Sequence, residues 1–212
     1  MLNVSVINKI ENKVNVEVNE VDGVVQIVID KALDMKKLSS LKPGEVFKKN
    51  GTEYIVCEHF ENGSTAIIRR ECLEDGMEFG DTNNWAESGL RKFLNNEYLK
   101  NISDDFSQDN ILDHEVDLLS LDGYDDYGRT TDKVSVLTID QYRKYHKFIG
   151  NVDRWNWLVT PDSTPSGTDA SDVQVVRDGG GGVGWIYSDG CGGVRPFFLL
   201  KSSISVSLET GE

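Results

Sequence analysis

Residues 155–161 read W-N-W-L-V-T-P, residues 173–178 V-Q-V-V-R-D, residues 179–187 G-G-G-G-V-G-W-I-Y and residues 193–200 G-V-R-P-F-F-L-L. Short runs rich in Val, Ile and aromatics, each bounded by Gly, Ser, Thr or Asp, are strand signals separated by turn signals. The spacing predicts strands over 156–159, 173–177, 184–187 and 194–200, with a last one near 204–208. A catalytic chain usually carries a spaced set of nucleophile, base and metal ligands. This stretch carries aromatic and glycine-rich loops that return to apolar strand, which points to a recognition surface and away from a reaction centre.

Working outward, two helices are punctuated. Asn84 with Glu87 three residues on forms a capping-box pattern ahead of Leu90, Phe93 and Leu94, predicting a helix over 85–98. Thr138 with Gln141, flanked by the staple pair Leu137 and Tyr142 and stopped by Gly150, predicts a second. Residues 104–133 between them read as loop with one strand in V-D-L-L-S-L. Upstream, E-Y-I-V-C-E-H-F and T-A-I-I-R-R flank the turn Glu61 to Ser64, an Asn-Gly hairpin signal. Strands first, then two helices, then more strands and loops indicate an α+β fold.

Residues 3–31 alternate at period two, with Val14, Val16 and Val18 before Asp22-Gly23 and Val25, Ile27 and Ile29 after it, a β-hairpin pattern. We divide the chain into a hairpin appendage, 1–36, and a main domain, 37–212. A lone hairpin is marginal in water, so its apolar face needs the main domain or another copy against it. The hairpin is therefore the candidate element for homo-oligomer assembly.

The 212 residues include 22 Lys plus Arg against 36 Asp plus Glu, a formal net charge of −14. Such a field repels phosphate backbones and disfavours direct nucleic-acid binding. It leaves two readings, simple solubility or an acidic surface that docks on a basic protein. No apolar run approaches the roughly 20 residues of a membrane span, and the N-terminus lacks a basic segment followed by an apolar one. A soluble protein with no membrane contact, made in the cytoplasm without a secretion signal, is the expectation. Cys57, Cys72 and Cys191 are odd in number and widely separated, without clustered histidines, so they read as small buried or half-buried thiols, with neither disulfide framework nor zinc.

Several motifs resolve to plain readings. Gly179, Gly181 and Gly184 satisfy G-x-G-x-x-G, but W-I-Y-S-D-G follows where a nucleotide site needs a helix N-terminus. Asp122, Asp125 and Asp126 do not have the spacing of a helix-loop-helix calcium loop and read as a surface turn. His114 and His146 lack a second histidine at i+4, no G-x-S-x-G occurs, and His59 reads as structural. The loop carboxylates Asp162, Asp169, Asp172, Asp178 and Asp189 could meet in pairs that sequence does not place. Trp155 and Trp157 share a strand face and are expected in the core. Trp185 and Tyr187, large rigid aromatics among Gly, Ser and Asp, have the composition of a binding loop. No cofactor and no metal site is expected.

W-A-E-S-G-L-R-K-F-L-N over residues 85–95 and G-V-R-P-F-F-L-L over 193–200 resemble an uncharacterised domain family frequent in bacterial and phage genomes. Its members carry W-x-x-S-x-L-R-x-W-L-N and a closing G-V-R-P before an apolar strand. Leu118 to Ser120 and Trp155 to Pro161 occupy the places of its L-L-S and W-W-L-R-x-P segments, with V-T-P replacing R-x-P. The likeness spans about 38–208. That family looks like a branch of the C-type lectin-like fold, alongside the formylglycine-generating enzymes and retroelement-diversified phage tropism proteins. The resemblance implies a C-type lectin-like domain whose binding face is built late in the chain. It carries over no active site: Cys191 stands without the partner of a copper-binding cysteine pair, and E-P-N and W-N-D calcium signatures are absent.

The resulting expectation is a non-enzymatic recognition domain of a phage or other mobile element. It would bind a protein or glycan through loops 160–172 and 178–193, with Arg177, Asp178, Trp185, Tyr187 and Asp189 as the contact residues. Virion association remains open to such a protein. The alternative is an acidic phage-encoded inhibitor that docks on a basic, nucleic-acid-binding surface of a host defence protein. Arg91 and Arg195, inside the two motifs, are expected to pair with carboxylates that hold elements together.

Overall fold

Leu90, Leu94, Tyr98, Ile102 and Phe106 recur every four residues, and all five are buried in one core. On a 3.6-residue helix such a stripe drifts by about 40° per step. The helix absorbs the drift by widening in mid-course. In the computed structural model, which describes residues 14–21, 24–31 and 35–208, α1 (Gly89–Phe93) passes through a π-helical turn (Leu94–Tyr98) into α2 (Leu99–Phe106). The wider turn keeps the strict four-residue repeat on the core side.

This helix corrects two sequence expectations. Asn84 caps only a 3-10 turn, Trp85–Glu87, by accepting the Ala86 N–H; the chain is then extended at Ser88. Ser88 is the real N-cap, its hydroxyl accepting the Arg91 N–H at 3.0 Å, and the helix runs to Phe106 because its apolar stripe does. The second helix is as expected: α3 (Ile139–Ile149) has its full Thr138–Gln141 capping box, and Leu137 and Tyr142 are buried together.

The described strands are β1 (Val14–Val21), β2 (Val24–Lys31), β3 (Met35–Lys37), β4 (Val46–Lys49), β5 (Thr52–His59) and β6 (Ser64–Arg69). They continue with β7 (Ile111–Leu112), β8 (His114–Asp117), β9 (Arg129–Asp132), β10 (Val134–Ser135), β11 (Asn156–Pro161), β12 (Asp172–Val176), β13 (Val183–Tyr187), β14 (Phe197–Lys201) and β15 (Ser205–Ser207). The main sheet runs β10-β14-β6-β5-β4-β15-β3, with β7 also on β14, and curls into a half-barrel. A three-stranded sheet, β11-β12-β13, and a ribbon, β8-β9, complete the body. The paired strands are antiparallel, with one parallel bridge between Asn156 and Gly193, so the fold is α+β. No helix among the described residues is long and apolar enough to cross a membrane.

β1 and β2 pair in the expected hairpin, Val18 opposite Ile27; the Asp22-Gly23 turn lies outside the described residues. Val18, Val25 and Ile27 are exposed on one face of it. A second hairpin, overlooked in the sequence, joins β4 to β5 through Asn50 and Gly51, both at positive φ, as a two-residue loop between right-twisted strands demands. The strand predicted in V-D-L-L-S-L lies earlier, at β8, and continues only as irregular chain through Leu118 to Ser120. His59 is structural, between the Thr65 hydroxyl at 2.7 Å and the Leu41 carbonyl at 2.6 Å.

Both recognisable motifs turn out to build the fold. Trp85 Nε1 and Arg91 Nε donate to the two oxygens of buried Asp132 at 2.8 and 2.7 Å. Asn95 clasps β10, accepting from the Lys133 and Val134 N–H groups and donating to the Val134 carbonyl. Arg91 thus has the carboxylate partner expected of it. Among the described residues Arg195 has none: buried, it donates to three carbonyls, of Arg69 at 3.0 Å, Gly150 at 3.0 Å and Ile149 at 2.6 Å. The last two lie at the C-terminus of α3, where the helix leaves carbonyls unpaired and favours a cation.

His114 is half-buried on β8, edge-on to Phe197 at 5.7 Å, with Nε2 on the Ser135 hydroxyl. Burial pushes its imidazole from 6.5 down to about 4, although Asp132 and Asp113 favour the protonated form. The folded pKa of this base is depressed, so its contribution is complete above pH 6.5 and is lost as pH falls towards about 4. Thermal unfolding of wild type and His114→Gln across that range should converge at acid pH, with the histidine responsible for a difference on the order of 2 kcal/mol. Parallel curves would remove His114 as the acid-labile group.

Candidate functional site

The surface at β13 begins with its register. Asp172 pairs with Tyr187, Gln174 with Trp185 and Val176 with Val183, while Val173 and Val175 lie opposite Ile186 and Gly184. Alternation sends Val173, Val175 and Ile186 into the core and leaves Val183, Trp185 and Tyr187 outside. Trp185 is 47% exposed and Tyr187 58%, with their rings edge-to-face at 6.1 Å. The two aromatics singled out in the sequence therefore form one solvent-facing pair, joined by Val183, which sequence reading missed.

The other three predicted contact residues are exposed but differently placed. Asp178 lies in the turn after β12, and Asp189 in the turn after β13. Arg177 lies against Gly184, so close that a Cβ there would collide with its guanidinium. That is the face opposite Trp185, so Arg177 does not join the aromatic pair.

The loops are held by built contacts. The glycine run folds back on α3, where Tyr142 donates its hydroxyl to the Gly181 carbonyl at 2.6 Å. Gly181 has φ +67, and a Cβ would strike Asn151 and the Tyr142 hydroxyl, so glycine is needed there. Beyond β13, the Ser188 carbonyl accepts the Phe79 and Gly80 N–H groups at 2.9 and 3.2 Å. The acidic turn at 121–128 braces the 160–172 loop. Asp122 accepts the Ser120 and Ser163 hydroxyls at 2.6 and 2.7 Å, which hold its carboxyl below the usual range, and Asp126 accepts the Ser166 N–H at 3.0 Å.

Beside the aromatics lies the negative charge whose grouping the sequence could not place. Asp162 is raised by burial and then by Asp122 and Asp169, although Gln174 donates to it at 2.6 Å. Asp172 is raised by burial and then by Asp169 and Asp162. Among the described residues none of Asp162, Asp169 and Asp172 forms a salt bridge. The signal was the match of D-V-Q-V-V-R to V-G-W-I-Y once paired, which puts Asp172 beside Tyr187.

An open cleft of about 630 Å³ reaches the 188–192 turn at Cys191 and is lined further by Met77, Glu78, Asp81, Glu87 and Lys92. Cys191 is exposed at its rim, correcting the expectation of three buried or half-buried thiols; Cys57 is buried and Cys72 half-buried. Among the described residues no group of three or more His, Cys, Asp or Glu is placed to hold a metal ion. Searches of protein-family models, curated proteins and solved structures gave no match to this chain.

Proposed function

We propose that this chain is a non-enzymatic recognition domain of C-type lectin-like architecture, encoded by a phage or other mobile element. It binds a protein or glycan through the Trp185–Tyr187 face. The observation that carries this reading is the exposed aromatic pair on a strand whose reverse side is core, flanked by loops that separate hydrogen bonds hold in place. Rigid amphipathic rings provide contact area at small entropic cost, which is why they anchor interfaces. The α+β architecture and the order of the two motifs support the fold assignment. The exposed Val18, Val25 and Ile27 face suits assembly of copies through the hairpin.

The experiment is capture of partners from host lysate and from virions with wild type and with Trp185→Ala/Tyr187→Ala. The double variant should fold with unchanged circular dichroism and lose about 2–4 kcal/mol of binding. A variant that retains the same partners at the same affinity refutes the assignment.

One observation favours a second reading. Asp162, Asp169 and Asp172 stand together and, among the described residues, form no salt bridge, which suits an acidic inhibitor that occupies a basic, nucleic-acid-binding surface of a host defence protein. Its binding would fall steeply with salt and compete with DNA or RNA. The recognition module would retain its partner at high salt through apolar contact.

A further inference from the structure

The main chain of β13 is as informative as its side chains. Ser188 donates to the Ser171 carbonyl and Arg177 to the Gly182 carbonyl, at 2.8 and 2.7 Å. These bonds set the phase of the antiparallel ladder: Gly182, Gly184, Ile186 and Ser188 turn their amides and carbonyls to β12. Val183, Trp185 and Tyr187 turn theirs outward. Among the described residues β13 has no second neighbour in its sheet. Among the described residues its outer edge makes one hydrogen bond, from the Gly190 N–H to the Tyr187 carbonyl at 2.8 Å.

The residues with exposed side chains are thus also those whose main-chain groups face outward, all unpaired among the described residues except the Tyr187 carbonyl. Sheet edges are commonly blunted by Lys, Pro or a bulge, because a bare edge recruits another strand. V-G-W-I-Y has no proline and no charge, and its pairing to β12 is regular.

We propose that β13 is a strand-addition site that takes an extended, basic peptide segment of a partner protein, antiparallel or parallel to Val183–Tyr187. This rests on the recognition reading and specifies its ligand. Main-chain bonds to Val183, Trp185 and Tyr187 supply the pairing, and alternate side chains of the added strand lie across the aromatic pair. The charge of the surroundings selects the occupant. Asp172 stands opposite Tyr187, Asp162 and Asp169 are close to it, and Asp178 and Asp189 lie in the turns at either end of the strand. Arg177, the cation nearest in sequence, is on the reverse face. Lysine or arginine stems pack on Trp185 and Tyr187 while their heads meet these carboxylates. A second copy of this chain would bring two acidic sets together, and a nucleic-acid strand would bring phosphates to them; both are repelled.

The test uses the full chain and fluorescence anisotropy with a short amidated peptide that alternates lysine and valine. Two further peptides serve as controls, one N-methylated at alternate residues and one with glutamate for lysine. The lysine peptide should bind, N-methylation should weaken it roughly 10- to 100-fold by removing two or so main-chain bonds, and the glutamate peptide should not bind. Val183→Pro, at the first residue of an edge strand and with its N–H outward, is compatible with the fold and should weaken binding similarly. Because the N-methylated peptide leaves the protein unaltered, the result does not depend on how that variant folds.

Equal binding of the methylated peptide, equal binding of the glutamate peptide, or no binding of the lysine peptide would each overturn the proposal. So would a dimer in sedimentation that Val183→Pro dissolves, which would give the edge to a second copy. If strand addition fails in this way while Trp185→Ala/Tyr187→Ala still loses captured partners, the recognition reading survives. If the double variant loses none, that reading fails too.

Discussion

Trp157→Ala will cost the fold about 3–5 kcal/mol, the usual range for deleting a buried tryptophan. Trp157 is completely buried, edge-on to Trp155 at 5.0 Å and to Phe79 at 5.6 Å, and its Nε1 donates to the Met77 carbonyl at 2.8 Å. Gly192 lies so close that a Cβ there would collide with the Trp155 ring and Trp157 Nε1. One side chain therefore joins β11 to the 77–80 segment and to the 188–193 turn that carries Asp189 and Cys191. A domain is typically stable by only about 5–15 kcal/mol, so the variant should unfold on the order of 10 °C lower. Trp157→Phe should recover most of the packing but lose the indole bond to the Met77 carbonyl, which keeps only the Gly192 N–H at 2.9 Å, and so fall between the two. Denaturant titration checks the order, and an alanine variant within about 1 kcal/mol of wild type would show that the cluster is not the keystone described.

Asp132→Ala has an expected cost of similar size, about 3–5 kcal/mol, for a different reason. Its side chain is only 1% exposed, and the carboxylate accepts from Arg91, Trp85 and Thr130 at 2.7, 2.8 and 2.8 Å. Truncation leaves three donors facing a void, one of them charged, and unpaired buried donors cost more than the bonds contributed. Asp132→Asn preserves the volume but turns an N–H towards a donor, so it should rescue only in part. A double-mutant cycle with Arg91→Met should give a coupling on the order of 1–3 kcal/mol. Additive losses would show that Arg91 and Asp132 do not act as a pair. The effect extends to the recognition surface, because Asp132 closes the β8-β9 ribbon whose connecting turn, through Asp122 and Asp126, braces the 160–172 loop.

The two predictions explain why the recognisable motifs do not mark the binding surface. Trp85, Ser88, Arg91 and Asn95 serve a cap and a clasp, and Arg195 serves the end of α3. Such contacts tolerate little variation because they satisfy buried polar groups. The face at Trp185 and Tyr187 is freed from that constraint, since its side chains leave the core and its turns are fixed from behind by Tyr142 and Ser188.

Local sequence determined the elements governed by local rules. Periodicity placed β12, β13, α3 and the β5-β6 hairpin nearly to the residue, alternation identified Trp157 as core, and local composition singled out the pair Trp185 and Tyr187. These follow from side-chain direction and capping within a few residues. The same rules misplaced the start of the first helix, because Asn84 and Ser88 are both competent caps and the choice depends on where Trp85 and Arg91 meet Asp132. Tertiary structure alone decided that Arg195 would face carbonyls, that Arg177 would turn behind Gly184, and that Asp162, Asp169 and Asp172 would gather beside β13. It also decided which edge of that strand stays bare. Each depends on contacts between residues distant in the chain, and hydrogen-bond phase across a sheet is fixed only when the register is.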